Sequence, residues 1–204
     1  MQNTAKFWDG IAEKYAKSPI KDTDSYEYSL GRTRSYLKAT DTVLEVGCGT
    51  ASTALRLARD VDQIVATDIS PAMLAVGERN AAAQGVGNLR LVEAGAGQLP
   101  KGPFDVIMAF NLLHLVRDLD QVLADIHTRL APDGLFISKT FCTPERGGGL
   151  KYRMIRLVLP VMQFFGKAPF VRFMRIAELE EAVMRAGLEI IETGNYPAVP
   201  PSRY

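Results

Sequence analysis

Two glycines and a distant carboxylate are the residues of this chain best placed to do chemistry. Gly47 and Gly49 close the apolar run Val43-Leu44-Glu45-Val46, and Asp68 follows about twenty residues later. Glycines at the end of a strand let the backbone turn sharply and approach a ligand with no Cβ in the way. A helix opening near Ser52 turns its free N–H groups towards the same crevice. A carboxylate that ends the next strand can accept hydrogen bonds from both hydroxyls of a ribose. The pattern therefore suits a small ligand containing adenosine. The order Gly47-x-Gly49-x-x-Ser52 lacks the third glycine of the nicotinamide and flavin fingerprint, which disfavours a dinucleotide.

A second group follows a later apolar run, in Asn111-Leu112-Leu113-His114. Asn111, just past the strand end, can orient an acceptor or touch the first ligand. His114 titrates near neutrality and has two roles open to it, a proton acceptor beside a reacting group or a capping and packing residue. His127 falls off the apolar stripe of its helix and reads as a solvated surface residue.

The elements that position these groups alternate along the chain. A first helix carries Phe7, Trp8, Ile11, Ala12 and Tyr15 on one face, with Thr4 as its cap, and Ser18-Pro19 ends it. A second spans about 24–37. Strands are expected at 42–46, 63–67, 89–92, 104–110, 135–140 and 188–193. Between them lie a helix over 52–60, one opened by Ser70-Pro71 and stopped by Gly85, and one with the stripe Leu119, Val122, Leu123, Ile126 and Leu130. Pro132-Asp133-Gly134 reads as a turn. A last helix carries Leu179, Ala182, Val183 and Ala186 and stops at Gly187. Such alternation predicts an α/β, doubly wound, mainly parallel sheet with helices on both faces. Ligands of such sheets lie at the carboxyl ends of the strands, where the strand order reverses.

With 204 residues, 47% of them apolar and 23% charged, the chain reads as one globular domain over 1–204, with residues 1–40 as an N-terminal helical cap. A net charge of +1 gives no global reason to expect nucleic-acid binding. Cys48 and Cys142 have no metal-ligand spacing, and a reducing cytoplasm is the simple inference. No apolar run reaches the length of a membrane span, and no signal peptide is visible.

Residues 146–177 stand out as a lid-like insertion. They hold seven basic residues (Arg146, Lys151, Arg153, Arg156, Lys167, Arg172 and Arg175) and no acidic one, interleaved with aromatic and aliphatic residues. Gly147-Gly148-Gly149 supplies a hinge, and Pro160 is expected to interrupt any single long helix. Three readings are open. One is an amphipathic lid admitting an apolar or anionic, lipid-like acceptor. Another is peripheral attachment to an anionic membrane through 150–175. The last is a packed cap or a homodimer contact.

The order Glu45-x-Gly47-x-Gly49, with Asp68 ending the next strand, resembles motif I of the class I S-adenosylmethionine-dependent methyltransferases, and small bacterial members in particular. Phe104-Asp105-Val106-Ile107 resembles the family's motif IV. Leu130-Ala131-Pro132-Asp133-Gly134-Leu135 resembles its turn before strand five, and Phe7-Trp8-Asp9-x-Ile11-Ala12-x-x-Tyr15 its N-terminal helix. The resemblance implies methyl transfer from S-adenosylmethionine to a small acceptor, without a metal. It implies that Glu45, Gly47 and Gly49 hold the amino-acid end of the donor, with Cys48 between them in the cofactor site, that Asp68 binds the ribose, and that Ile69 packs on the adenine. Phe110 would line the same site, and Tyr15 would reach the donor carboxylate or pack on the sheet edge.

Three departures from the family pattern stand out. Ala51 replaces the usual third glycine, adding a methyl group. Gly95 replaces an adenine-binding aspartate, which moves recognition to the Ala96 N–H, helped by Gln98. The antiparallel seventh strand is a stub or missing. The last two readings and Ala51 keep a non-catalytic donor-binding or partner protein as the alternative, with a nicotinamide-dependent oxidoreductase behind it.

Overall fold

Five parallel strands form the centre of the molecule. The computed structural model describes residues 2–144, 149–198 and 201–204. The strands are β1 (Thr42–Val46), β2 (Gln63–Asp68), β3 (Leu89–Glu93), β4 (Phe104–Phe110) and β5 (Leu130–Phe141), and β6 (Ser202–Arg203) joins antiparallel. Their order is β3-β2-β1-β4-β5-β6. Chain direction across the sheet therefore reverses between β1 and β4, which opens a crevice beyond their carboxyl ends. The expected doubly wound α/β fold is the one found.

Alternate side chains explain why β1 and β4 sit at the centre. Val43, Val106 and Met108 enter one core cluster, and Leu44, Val46 and Ile107 enter the cluster on the other face. Val43 of β1 aligns with Val106 of β4, and Leu44 with Ile107. Strands buried on both faces read as continuous apolar runs, and these do.

Among the described residues seven α-helices surround the sheet: α1 (Gln2–Ala16), α2 (Thr23–Arg34), α3 (Ser52–Leu57), α4 (Pro71–Gln84), α5 (Leu119–His127), α6 (Gly149–Phe164) and α7 (Ile176–Arg185). The start of α4 follows its sequence signature: the Ser70 hydroxyl accepts the Met73 N–H at 3.1 Å, Pro71 takes the first turn, and Gly85 ends the helix with φ 64°. Asp22 caps α2, so that helix begins and ends earlier than the periodicity predicts. Helix α1 begins at Gln2, ahead of Thr4.

Four expectations need correction. Leu130 does not extend the stripe of α5 but opens β5, pairing with Phe104. The Pro132-Asp133-Gly134 turn is a bulge inside β5, because the register jumps from Phe104–Leu130 to Val106–Leu135, with Asp133 at φ 59°. Pro160 does not end α6, which continues to Phe164. A proline costs one backbone bond and crowds the preceding turn, and on an exposed helix the freed carbonyl still meets water. Residues 188–193 form no strand. The strand state needs a neighbour, and on the edge of β5 away from β4, among the described residues, only the two residues of β6 pair with it, at Thr140 and Phe141.

A cavity of about 800 Å³ therefore separates β5 from 188–193, lined by Leu135, Ile137, Leu188 and Ile190 among others. The far wall is held from α2 and the turn that follows it, where Arg32 and Tyr36 both bind the Glu192 carboxylate. The expected stub of a last strand is present as β6. The expected hinge at 147–149 falls largely on 145–148, outside the described residues.

Candidate active site

Apolar β1 delivers Glu45 to its carboxyl end and then the chain turns. Gly47 and Gly49 adopt φ 69° and 55°, the left-handed region that glycine enters at no cost. Ala51 follows at φ 57° with its side chain fully buried. The departure at this position is thus one of conformation as well as of a methyl group, since an alanine there costs about 1–2 kcal/mol relative to the right-handed form. The turn leads into α3, whose first residues, Ser52 and Thr53, line the crevice.

Asp68, at the end of β2, ties this turn to the next one. Its Oδ2 accepts the Gly49 N–H at 2.8 Å and its Oδ1 the Ser70 N–H at 2.9 Å. Burial raises its pKa, and the Ser70, Gly49 and Ile69 N–H groups oppose the rise. Helix α1 lies over the same corner. Asp9 accepts the Ser70 hydroxyl at 2.6 Å and the Ala72 N–H at 3.2 Å, which pins α1 to the start of α4.

The crevice is a cavity of about 790 Å³. Tyr15, Glu45, Gly47, Cys48, Gly49, Asp68, Ile69, Gly95, Ala96, Phe110 and Asn111 all line it. Eleven residues singled out in the sequence, spread over five segments, thus meet in one place. His114 and Gln98 do not line it. The His114 ring packs edge-on near Phe141 at 6.1 Å, with Nδ1 buried and unpartnered, and burial lowers its pKa to about 4. Burial thus disfavours its charged form. His127 packs beside Gly187, at the end of α7.

Glu45 is the most unusual group in the cavity. It is 3% exposed, Oε2 has no hydrogen-bond partner, and burial raises its pKa to about 8. A buried carboxyl with an orphaned oxygen is costly unless something cationic or protonated meets it. The Tyr15 hydroxyl is held in its protonated form by desolvation and by Asp68, although half of the residue's surface is exposed. The Cys48 thiol is likewise kept protonated by burial and by the nearby carboxylates.

Sequence patterns gave no ligand-binding role to several lining residues. Trp8 and Tyr26 arrive from the two N-terminal helices, and Leu112, Leu115 and Val116 from the loop after β4. Arg117 brings the one basic side chain on the cavity wall among the described residues, with its guanidinium 4.5 Å from the Phe170 ring centroid. Nothing in its sequence context could have marked it, because its position depends on a loop fold. Phe170 alone comes from the basic insertion, among the described residues.

A family model described as "Methyltransferase domain" matches residues 43–134. The chain is 34% identical over 131 residues to a demethylmenaquinone methyltransferase of Geobacillus kaustophilus, covering 61% of this chain but only 55% of that protein. It is 32% identical over 152 residues to the demethylmenaquinone methyltransferase of Thermus thermophilus, covering 71% of this chain and 68% of that one. Among solved structures, a Haemonchus contortus phosphoethanolamine N-methyltransferase 2 in complex with S-adenosyl-L-methionine superposes with a TM-score of 0.70 at 19% identity, over 85% of this chain and 40% of that one. At that identity the likeness speaks for the fold alone.

Proposed function

This chain belongs to the class I S-adenosylmethionine-dependent methyltransferases, and we propose that it moves the donor's methyl group to an apolar acceptor bearing an ionisable oxygen. The observation that carries the reading is Glu45: a wholly buried carboxyl, one oxygen unpartnered, on the wall of a cavity sized for a nucleoside ligand. An ammonium is what that oxygen lacks. The residues fit the donor as follows. Glu45 takes the amino group, while the open backbone at Gly47 and Gly49 lets the amino-acid portion lie close. Asp68 retains lone pairs for the ribose after binding Gly49 and Ser70, since each carboxylate oxygen can accept twice. Ile69, Gly95 and Ala96 receive the adenine.

Bound in this way, S-adenosylmethionine supplies a methyl group already activated as an electrophile. The chain's own part is to bind, aim and exclude water. Trp8, Tyr26, Phe110, Leu112 and Phe170 form an apolar wall for the acceptor, and Arg117 steadies its negative oxygen. His114 lies outside this wall, so the acceptor enters reaction already ionised or loses its proton elsewhere. The demethylmenaquinone methyltransferases it resembles support an acceptor of this apolar type.

The test is calorimetric titration of S-adenosylmethionine, S-adenosylhomocysteine and NADH, followed by assay of S-adenosylhomocysteine release with an apolar hydroquinone. Binding of both adenosyl ligands but not NADH, and turnover with the hydroquinone, is the expected result. Binding without turnover on any apolar phenol or hydroquinone would favour a non-catalytic donor-binding protein. No adenosyl binding at all would sink the reading.

A further inference from the structure

Most of the described apolar side chains of helix α6 lie in water. Leu157 is 71% exposed, Val161 57% and Phe164 85%, and Phe165 just beyond is 66% exposed. Leu157, Val161 and Phe164 follow each other at helical spacing and make one stripe. Of the described side chains of α6, only Leu159 and Gln163 are partly covered. A helix apolar around its circumference is normally buried, so this one lacks an occupant for its surface.

Charge says what kind of occupant fits. Residues 146–177 carry seven basic residues and no acidic one, although the whole chain is only +1. Arg156 and Lys167 are exposed beside the stripe, and the Arg156 guanidinium lies over the Phe173 ring at 5.4 Å from its centroid. Exposed apolar side chains flanked by long basic ones are the ingredients of an interfacial helix on an anionic bilayer. A second copy fits less well. A two-fold contact would set this basic segment against itself, with no carboxylate in it to answer the charge. Among the described residues no helix is long and apolar enough to cross a membrane, which leaves contact with the surface.

We infer that α6 with Phe165 is a docking surface for an anionic lipid bilayer. Leu157, Val161, Phe164 and Phe165 enter the boundary between headgroups and acyl chains, and Arg156 and Lys167 meet lipid phosphates. The segment that follows fastens this surface to the mouth of the cavity. The Arg172 N–H donates to the His114 carbonyl at 2.6 Å and the Arg172 guanidinium to the Arg117 carbonyl at 2.5 Å, next to Phe170 on the cavity wall. The docking surface stands on its own observations. Only its use as an entry for a lipid-dissolved acceptor rests on the methyltransferase reading.

Vesicle co-flotation of the whole chain tests the inference. The protein should float with phosphatidylcholine–phosphatidylglycerol vesicles and bind phosphatidylcholine alone about 10-fold or more weakly. The double variant Leu157→Glu/Phe164→Glu should lose about 10-fold or more of that binding. Its affinity for S-adenosylhomocysteine should be unchanged, which reports an intact fold. Arg156→Glu/Lys167→Glu gives a second variant with the same expectation if the first does not fold. Failure to float with anionic vesicles, or equal flotation of both variants, overturns the inference. So does a sedimentation profile showing a dimer that Phe164→Glu dissolves, which would make the surface a contact between copies. Absence of adenosyl binding in the unmodified protein would remove the methyltransferase reading and leave the lipid result standing.

Discussion

The Asp68 carboxylate accepts the backbone N–H of Gly49 at 2.8 Å, so the residue that ends β2 also fixes the turn that ends β1. Its other oxygen holds Ser70 at the start of α4. One side chain thus sets the shape of the cavity before any ligand arrives. Asp68→Ala removes both acceptors and should destabilise the fold by roughly 2–4 kcal/mol, since hydrogen bonds to charged groups are worth about 1.5–3 kcal/mol each before the loss is shared. It should weaken S-adenosylhomocysteine binding by about 10-fold or more. Urea unfolding and calorimetry read the two effects separately. Unchanged affinity in a folded variant would remove Asp68 from the ligand site.

Glu45 should make donor binding depend on pH. Its pKa is raised from 4.5 to about 8, chiefly by burial, with Asp68 adding to the rise and the Ala54 N–H opposing it. Between those values the folded protein holds a proton that the unfolded chain has released. Stability contributed by this group therefore falls as pH rises from 4.5 towards 8. An arriving ammonium favours the carboxylate, so binding of S-adenosylhomocysteine at neutral pH should release on the order of one proton. Calorimetry in two buffers of different ionisation enthalpy measures that release. Glu45→Gln should abolish it, raise Tm at mildly alkaline pH and weaken binding about 10-fold or more. Identical heats in both buffers would contradict the assignment.

The two turn glycines should respond differently to a methyl group. Both hold left-handed backbone, so Gly47→Ala and Gly49→Ala should each cost about 1–2 kcal/mol. At Gly49 the nearest atom to an added Cβ is 3.9 Å away, on the Tyr15 ring. At Gly47 it is Leu112 Cδ1 at 2.6 Å, on the acceptor wall. Only Gly47→Ala should therefore raise the acceptor KM as well as lower stability. Equal acceptor KM values for the two variants would show that Leu112 does not shape the acceptor site.

His114→Phe tests whether the histidine does proton chemistry. Burial lowers its pKa from 6.5 to about 4, so the folded imidazole stays neutral where the unfolded one is charged. Stability is thus lost as pH falls through 6.5 towards 4, and the phenylalanine variant should lack that loss. Methyl transfer should stay within about 3-fold of the parent, with the same pH profile, because the ring lies outside the cavity wall. A drop of about 100-fold or more, or a vanished pH inflection, would restore His114 as a general base.

Much of the donor site could be read from the sequence because it lies on segments whose local pattern is also their tertiary role. Strands β1 and β4 begin and end where the apolar runs do, since burial on both faces leaves no other state for Val43-Leu44 or Val106-Ile107. Ser70-Pro71 and Gly85 bounded α4 by backbone chemistry alone. Other outcomes depended on neighbours that local pattern does not encode. Residues 188–193 match a strand in composition, yet lack a partner to pair with among the described residues. Leu130 continues a helical stripe and is taken by the sheet because Phe104 waits opposite. The neutrality of His114, and the orphaned oxygen of Glu45, are properties of burial and could not be seen in residue type.

The open seam between β5 and 188–193 divides the protein into a firm flank and a slack one. On the β1–β4 side every central strand is clasped from both edges, and the ligand cavity belongs to that side. On the other side 188–193 is moored by Glu192, by the short Asn195–Arg203 bridge and by Tyr204, with a void of about 800 Å³ where a ladder would run. Thermal breathing will concentrate along that seam. Damage or substitution there can loosen the margin of the molecule while the chemistry at the far end keeps its shape.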